Sequence, residues 1–239
     1  MEREGQFRLK EWLVSKGIKQ VLFDMDSTLV ETVEHYITRM HKYCEFLSCE
    51  SGRDEQELFD IFMGGIMALR GEFSVQPAVL DVPARVLAKM CGVEGVELEK
   101  EIEELMKIYE LSPEVLPGAA EQVKQVRDAG VETFVVTHAG EEWTREKMKL
   151  FWGLFGDCVC TPTDRPKDLQ AWEEAFEKLG VEPGEVMVVG DSWVSDIEPA
   201  LEMGVKKVVW IRNKAEPRSD SGVIEIEKIA DLVESLLVR

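Results

Sequence analysis

Five short apolar runs punctuate the chain: Val21–Phe23, Thr133–Val136, Cys158–Cys160, Val186–Val189 and Lys207–Ile211. They are rich in β-branched and aromatic residues, and several stop at a small or acidic residue, the signature of buried strands. Helical periodicity separates the last four, over 119–129, 141–150, 169–179 and 197–203. Strands alternating with helices predict an α/β fold, a Rossmann-like doubly wound parallel sheet covered on both faces. In such sheets ligands bind outside the carboxyl ends of the strands. Those ends are where chemistry is expected.

The first interval breaks this rhythm. Between the first two runs the sequence holds helical stretches near 33–47, 55–69, 78–90 and 97–109 and almost nothing strand-like. Ser112-Pro113 and Leu116-Pro117-Gly118 end them. The pattern predicts an all-helical domain inserted over 31–116, with the sheet domain formed by 1–30 and 117–239. Met63-Gly64-Gly65-Ile66 and Arg70-Gly71 interrupt the second stretch, and each glycine costs about 1 kcal/mol relative to alanine in a helix. A loop or kink facing a site, with Arg70 binding a second anionic group of a substrate, is one reading; an ordinary helix–helix turn is the other. Residues 6–16 predict a short helix with Phe7, Trp12 and Leu13 as its apolar side. Residues 224–237 predict a terminal amphipathic helix whose stripe is Ile226, Ile229, Leu232, Val233 and Leu236.

Charge narrows the partners. The 239 residues carry 47 Asp+Glu against 28 Lys+Arg, a net charge of −19, so a general affinity for nucleic acid or anionic lipid is not expected. No stretch of 18 apolar residues is present and the first residues are charged, which predicts a cytoplasmic protein without a membrane span. The helical insert holds 8 Lys+Arg against 18 Asp+Glu, and six glutamates between Glu94 and Glu104 read as a solvated helix face. Five cysteines without Cys-x-x-Cys spacing fit neither a disulfide framework nor a zinc ribbon. Cys158 and Cys160 read as buried strand thiols.

The strand ends carry the chemistry. The first run continues Asp24-Met25-Asp26-Ser27-Thr28, and two carboxylates two residues apart in extended chain point the same way. Such a pair either repels itself or holds a hard cation such as Mg²⁺. The second run ends at Thr137, followed by His138. The fourth leads into Gly190-Asp191 and, five residues on, Asp196. Asp164-Arg165-Pro166-Lys167 supplies cations before a helix. Singly, Thr137 reads as a helix cap, Lys167 as a surface charge and Asp191 as a turn residue. Their occurrence at successive strand ends points to one site.

This set resembles the haloacid dehalogenase-like hydrolase superfamily. Asp24-Met-Asp-Ser-Thr is similar to its first motif, Asp-x-Asp-x-Thr; Thr137 is similar to the second, Lys167 to the third, and Gly190-Asp191 through Asp196 to the fourth. The helical insert is similar to the caps of phosphoglycolate phosphatases and β-phosphoglucomutases, and the resemblance spans nearly the whole chain. Three positions depart from the pattern: Ser27 stands where glycine is usual, His138 where asparagine or a small residue is common, and Arg165 competes with Lys167 for the third motif. The resemblance implies Asp24 as nucleophile and Asp26 as the acid and base. It implies Thr137 and Lys167 on the phosphoryl oxygens, and His138 near the leaving group. Mg²⁺ is implied on Asp24, Asp191 and the main-chain carbonyl of Asp26, with Asp196 on the metal side or supporting Lys167. The family's dehalogenases lack the second acid, because a halide leaves without a proton, so Asp26 argues against dehalogenation. The expected activity is Mg²⁺-dependent hydrolysis of a small phosphorylated metabolite. A sugar-phosphate mutase and, more remotely, a phosphoacceptor signalling domain are the alternatives.

Overall fold

Each of the five apolar runs forms a parallel strand in a computed structural model, which describes residues 2–73, 77–110, 113–212 and 222–238. The chain opens with helix α1 (Glu2–Ser15), strand β1 (Gln20–Phe23) and the two-residue strand β2 (Val30–Glu31). Four helices follow: α2 (Val33–Ser51), α3 (Glu55–Phe73), α4 (Ala78–Cys91) and α5 (Val96–Met106). A second two-residue strand, β3 (Glu114–Val115), pairs antiparallel with β2. Strands and helices then alternate: α6 (Ala119–Asp128), β4 (Glu132–Thr137), α7 (Glu141–Lys149), β5 (Asp157–Cys160), α8 (Leu169–Leu179) and β6 (Val186–Gly190). The last elements are α9 (Glu198–Glu202), β7 (Lys207–Ile211), β8 (Val223–Ile226) and α10 (Leu232–Leu237).

The main sheet runs β5-β4-β1-β6-β7-β8, with β1 in the centre, in register with β4 (Val21↔Thr133) and β6 (Val21↔Met187). Alternation sends Val21, Phe23, Met187, Val189 and Val209 to one face, where Leu9 and Leu13 of α1, Val123 of α6 and Leu232 of α10 complete a core. Leu22, Val188 and Val208 go to the other face, against Trp172 and Phe176 of α8. This is the doubly covered parallel sheet that the continuous apolar strands predict. No helix among the described residues is long and apolar enough to cross a membrane.

Three expectations change. Residues 224–226 belong to strand β8, in register with β7 (Val209↔Ile224, Ile211↔Ile226), and the terminal helix begins only at Leu232. Ile224 and Ile226 flank Glu225 with a period of two, and the edge of β7 satisfies their backbone better than a helix end does. In α1 the buried pair is Leu9 and Leu13, whereas Phe7 is 61% exposed. The stripe is therefore rotated from the one read off Phe7. Helix α3 continues through Gly64 and Gly65 without a loop.

Contacts divide the chain into two units, one comprising Met1–Glu31, Glu114–Pro162 and Lys167–Arg239, the other Thr32–Pro113 with Thr163–Pro166. The helical unit has its own core of Tyr43, Leu47, Phe62, Leu87 and Ile102 among others, and Tyr43 donates its hydroxyl to the Ala84 carbonyl at 2.7 Å. Gly65 explains itself there. A Cβ at this position would lie 3.0 Å from Pro83 Cβ, so the missing side chain lets α3 pass close to α4. Arg70 lies on α3, and its side chain falls outside the described residues.

Candidate active site

Asp24 extends β1 by one ladder bond, donating its N–H to the Val189 carbonyl of β6 at 2.9 Å. The chain then folds back sharply, with Leu29 and Val30 N–H groups donating to the Met25 carbonyl at 2.9 and 3.1 Å and Ser27 N–H to Val30 at 2.8 Å. Ser27 takes a left-handed backbone (φ 61°) to make this turn, the conformation that glycine adopts without strain. Asp24 is buried by the fold-back.

Lys167 is buried against it and uses all three of its protons. Its Nζ donates to Asp24 Oδ1 at 2.7 Å, Asp196 Oδ1 at 2.6 Å and the Val136 carbonyl of β4 at 2.7 Å. Burial alone would lower the pKa of this ammonium. Asp196 and Asp24 reverse that and hold it above the ordinary lysine value, so the group stays charged.

Asp196 is placed by a single π-helical turn, Trp193–Ile197. Its Oδ2 accepts the Ser192 N–H at 3.0 Å, and Trp172 Nε1 donates to the Ser195 carbonyl at 2.6 Å, tying the turn to α8. Gly190 makes room for it: a Cβ there would sit 2.5 Å from Asp196 Cβ and 2.6 Å from its Oδ2. Both oxygens of Asp196 are thus occupied, one by Lys167 and one by backbone.

Asp191 receives the Thr28 hydroxyl on Oδ1 at 3.3 Å, and its main-chain carbonyl accepts Trp210 Nε1 at 2.9 Å. Carboxylate oxygens of Asp24, Asp191 and Asp196 lie within 4.8 Å of one another. Burial, with Asp24 and Asp196 close by, pushes the Asp191 carboxyl up to about 8. Burial also raises Asp196, to about 6, against the pull of Lys167. Three carboxylates facing one ammonium leave an excess of negative charge. That excess, and a donor set made of carboxylate oxygen alone, suit a hard divalent cation. Thr137 completes the edge. It is fully buried at the end of β4, its hydroxyl has no hydrogen-bond partner among the described residues, and its carbonyl accepts the Thr161 N–H at 2.9 Å. A buried unpaired hydroxyl is a donor awaiting an acceptor.

The residue that sequence reasoning missed is Lys147. It is completely buried on α7, its Nζ pairs with Asp26 Oδ1, and it lies 3.2 Å from the centroid of the Trp143 ring. Burial pushes Asp26 up and Lys147 down, drawing the two proton affinities towards each other. On a helix as charged as Glu141–Lys149 one more lysine reads as surface. The available signal was Trp143, four residues earlier and so on the same helical face. Of the remaining candidates, His138 is half-buried after β4, and Arg165 groups with the helical unit while Lys167 groups with the sheet. It is Lys167 that meets Asp24.

Known proteins place this geometry in a family. The chain is 25% identical over 237 residues to pyrophosphatase PpaX of Bacillus velezensis, spanning 92% of this chain and 97% of that relative. It is 20% identical over 222 residues to N-acylneuraminate-9-phosphatase of Rattus norvegicus, spanning 81% and 82%. The fold is similar to the crystal structure of a haloacid dehalogenase-like family hydrolase from Xanthomonas campestris, with a TM-score of 0.73 at 16% identity over 92% of this chain and 95% of that one. Residues 18–204 match the haloacid dehalogenase-like hydrolase family, and the chain belongs to it.

Proposed function

We propose that this enzyme is a Mg²⁺-dependent phosphatase of small phosphorylated metabolites that works through a phosphorylated Asp24. The observation that carries the reading is Lys167, clamped between Asp24 and Asp196 beside the unpaired Thr137 hydroxyl. The phosphatase names of two relatives support it. Phosphate monoesters are among the slowest bonds to hydrolyse in water, and a covalent intermediate splits the barrier into two smaller steps. Asp24, held by the Lys167 ammonium, attacks phosphorus in line. Thr137 and Lys167 donate to the phosphoryl oxygens as charge builds on them. Asp26, paired with Lys147, protonates the leaving oxygen and then takes a proton from the water that opens the aspartyl-phosphate. Asp196 keeps Lys167 in place. Asp24 and Asp191, with the main-chain carbonyl of Asp26, would hold Mg²⁺, which supplies charge neutralisation to an incoming phosphoryl group. The helical unit is assigned to substrate choice, and five free cysteines agree with a reducing, cytoplasmic setting.

Phosphate release measured over a panel of phosphorylated metabolites, with Mg²⁺ and with chelator, tests this directly. Asp24→Asn is expected to lose at least about 10³-fold in rate, since it removes the nucleophile. With an aryl phosphate, Asp26→Asn is expected to accumulate protein heavier by one phosphoryl group, because the leaving phenolate needs no acid while hydrolysis still needs the base. Full activity in Asp24→Asn would remove the nucleophile from the scheme.

A further inference from the structure

Away from the acidic centre, a cavity of about 250 Å³ opens beside the sheet-edge strand β5. It is lined by Cys158 and Cys160, by Glu141, Thr144 and Arg145 of α7, and by Lys178 of α8. The strand's alternation makes the pair: Val159 packs into the core on one face, so Cys158 and Cys160 share the other. Neither is fully buried, contrary to the reading of two strand thiols sealed in the core, and both are free. Thr144 is 2% exposed, and its hydroxyl, on the cavity wall, serves as a hydrogen-bond partner of the Cys160 thiol. Two exposed cations, Arg145 and Lys178, face one exposed carboxylate, Glu141, in a chain whose net charge is −19. Two cations on the wall of a cavity that also holds two thiols, in so acidic a protein, describe a place for a small anionic molecule that reacts with sulfur.

We propose that this cavity is a thiol-modification site for a small carboxylate-bearing disulfide, with Cys160 as the reacting sulfur. The two thiols are unequal: hydrogen bonds from Cys158 and from the Thr144 hydroxyl lower Cys160 against the effect of burial, while Cys158 itself is raised. The Cys160 proton leaves to solvent and its thiolate attacks the nearer sulfur of the ligand's S–S bond. A new S–S bond forms, the ligand's own bond breaks, and its electron pair departs with the far sulfur, which takes up a proton as a free thiol. Cys160 is oxidised and the released half reduced, so no further oxidant enters. Arg145 and Lys178 pair with the ligand's carboxylates, while the Thr144 hydroxyl stays on Cys160. Closure to a Cys158–Cys160 disulfide is disfavoured, because residues two apart on a strand have Cα atoms about 6.6 Å apart, at the long limit for such a bond. The mixed disulfide persists.

The full-length protein is incubated at neutral pH with oxidised glutathione, and the modified residue is identified by intact mass and peptide mapping. One glutathione is expected on Cys160, at least about tenfold faster than on the exposed Cys49, which lies outside the cavity. The surface double variant Arg145→Glu with Lys178→Glu is expected to slow that reaction about fivefold or more while leaving the rate with uncharged 2-hydroxyethyl disulfide within about twofold. Cys160→Ser should abolish the first adduct and Cys158→Ser should keep it. First labelling at Cys49, or equal slowing of both disulfides by the charge reversal, overturns the assignment. Because none of these readouts measures phosphate release, failure here leaves the phosphatase reading standing, and the reverse also holds.

Discussion

Two lysines divide the first acidic motif between them, and neither is on the strand that carries it. Lys167 takes Asp24, and Lys147 takes Asp26. The first was legible because it opens a helix after Asp164-Arg165-Pro166; the second was hidden among the charges of α7. Its pairing makes a sharp expectation. Lys147→Met keeps the length of the side chain and removes the ion pair, leaving the Asp26 carboxyl without its holder. An alkyl phosphate, whose leaving oxygen needs the proton, is expected to lose about 10- to 100-fold in kcat. A nitrophenyl phosphate, whose leaving group departs as an anion, is expected to lose less than about threefold in the phosphorylation step. Equal losses on both substrates would mean that Lys147 serves packing alone. Gly190 offers a second case at the same scale. Alanine there places a methyl inside the van der Waals shell of Asp196, which is fixed by Lys167 and the Ser192 N–H and has no room to retreat. Gly190→Ala is expected to cost about 1–3 kcal/mol of stability, as overpacking does, and to lower phosphate release together with it. Thermal unfolding and a steady-state assay on the soluble variant check both.

Among the elements, strands and helices were legible where a period ran uncontested. Buried parallel strands read as plain apolar runs, and β1, β4, β6 and β7 announce themselves in this way. The terminal segment did not, because Ile226, Ile229, Val233 and Leu236 satisfy a helical period across a boundary that lies inside it. A four-residue strand is too short for its own period of two to win. Strands β2 and β3, two residues each, carry no period at all. Helix α3 shows the opposite failure. Its glycines were read as an interruption, whereas the local cost of glycine is outweighed by the packing of the whole helix. The two glycines have different standing. Gly64 is exposed with nothing within 4 Å of a Cβ, while Gly65 meets Pro83 at 3.0 Å. Gly64→Ala is therefore expected to stabilise by up to about 1 kcal/mol through helix propensity. Gly65→Val, with its branched Cβ driven against Pro83, is expected to destabilise by about 1–3 kcal/mol. Denaturation of the two variants side by side decides this; a loss in Gly64→Ala would mean that the helix there is held in a form alanine cannot take.

For the whole molecule, the net charge of −19 and the site's need for an anionic substrate oppose each other only until the local charges are counted. The sequence showed which acids gather, because each stands at a strand end that the sheet brings to one edge; it did not show how far burial would resist ionising them. That resistance has a sign. Asp191 and Asp196 titrate in the folded, metal-free chain at about 8 and about 6, above the ordinary aspartate value of 3.8, so the folded state holds their protons more tightly than the unfolded state does. The contribution of these groups to stability is therefore complete in acid and is lost as pH rises through about 8. A divalent cation acts in the other direction, since it binds the ionised carboxylates and competes with their protons. With chelator, Tm is expected to fall between pH 5 and pH 8. With Mg²⁺ in about 100-fold excess over its Kd, about 2.7 kcal/mol returns at pH 8, while little returns at pH 5. For a protein of this size that amounts to a rise in Tm of roughly 5–10 °C. The growing negative charge of the surface also lowers Tm with pH, and Asp191→Asn separates the two effects. It leaves the other surface charges unchanged, removes one repulsion within the cluster and deletes one of the carboxylates proposed to hold the cation. The variant should therefore lose less stability than the parent on going from pH 5 to pH 8 in chelator, and gain little from Mg²⁺. A variant that still gains as much as the parent would place the cation elsewhere, and a parent indifferent to Mg²⁺ at pH 8 would leave the cluster without one.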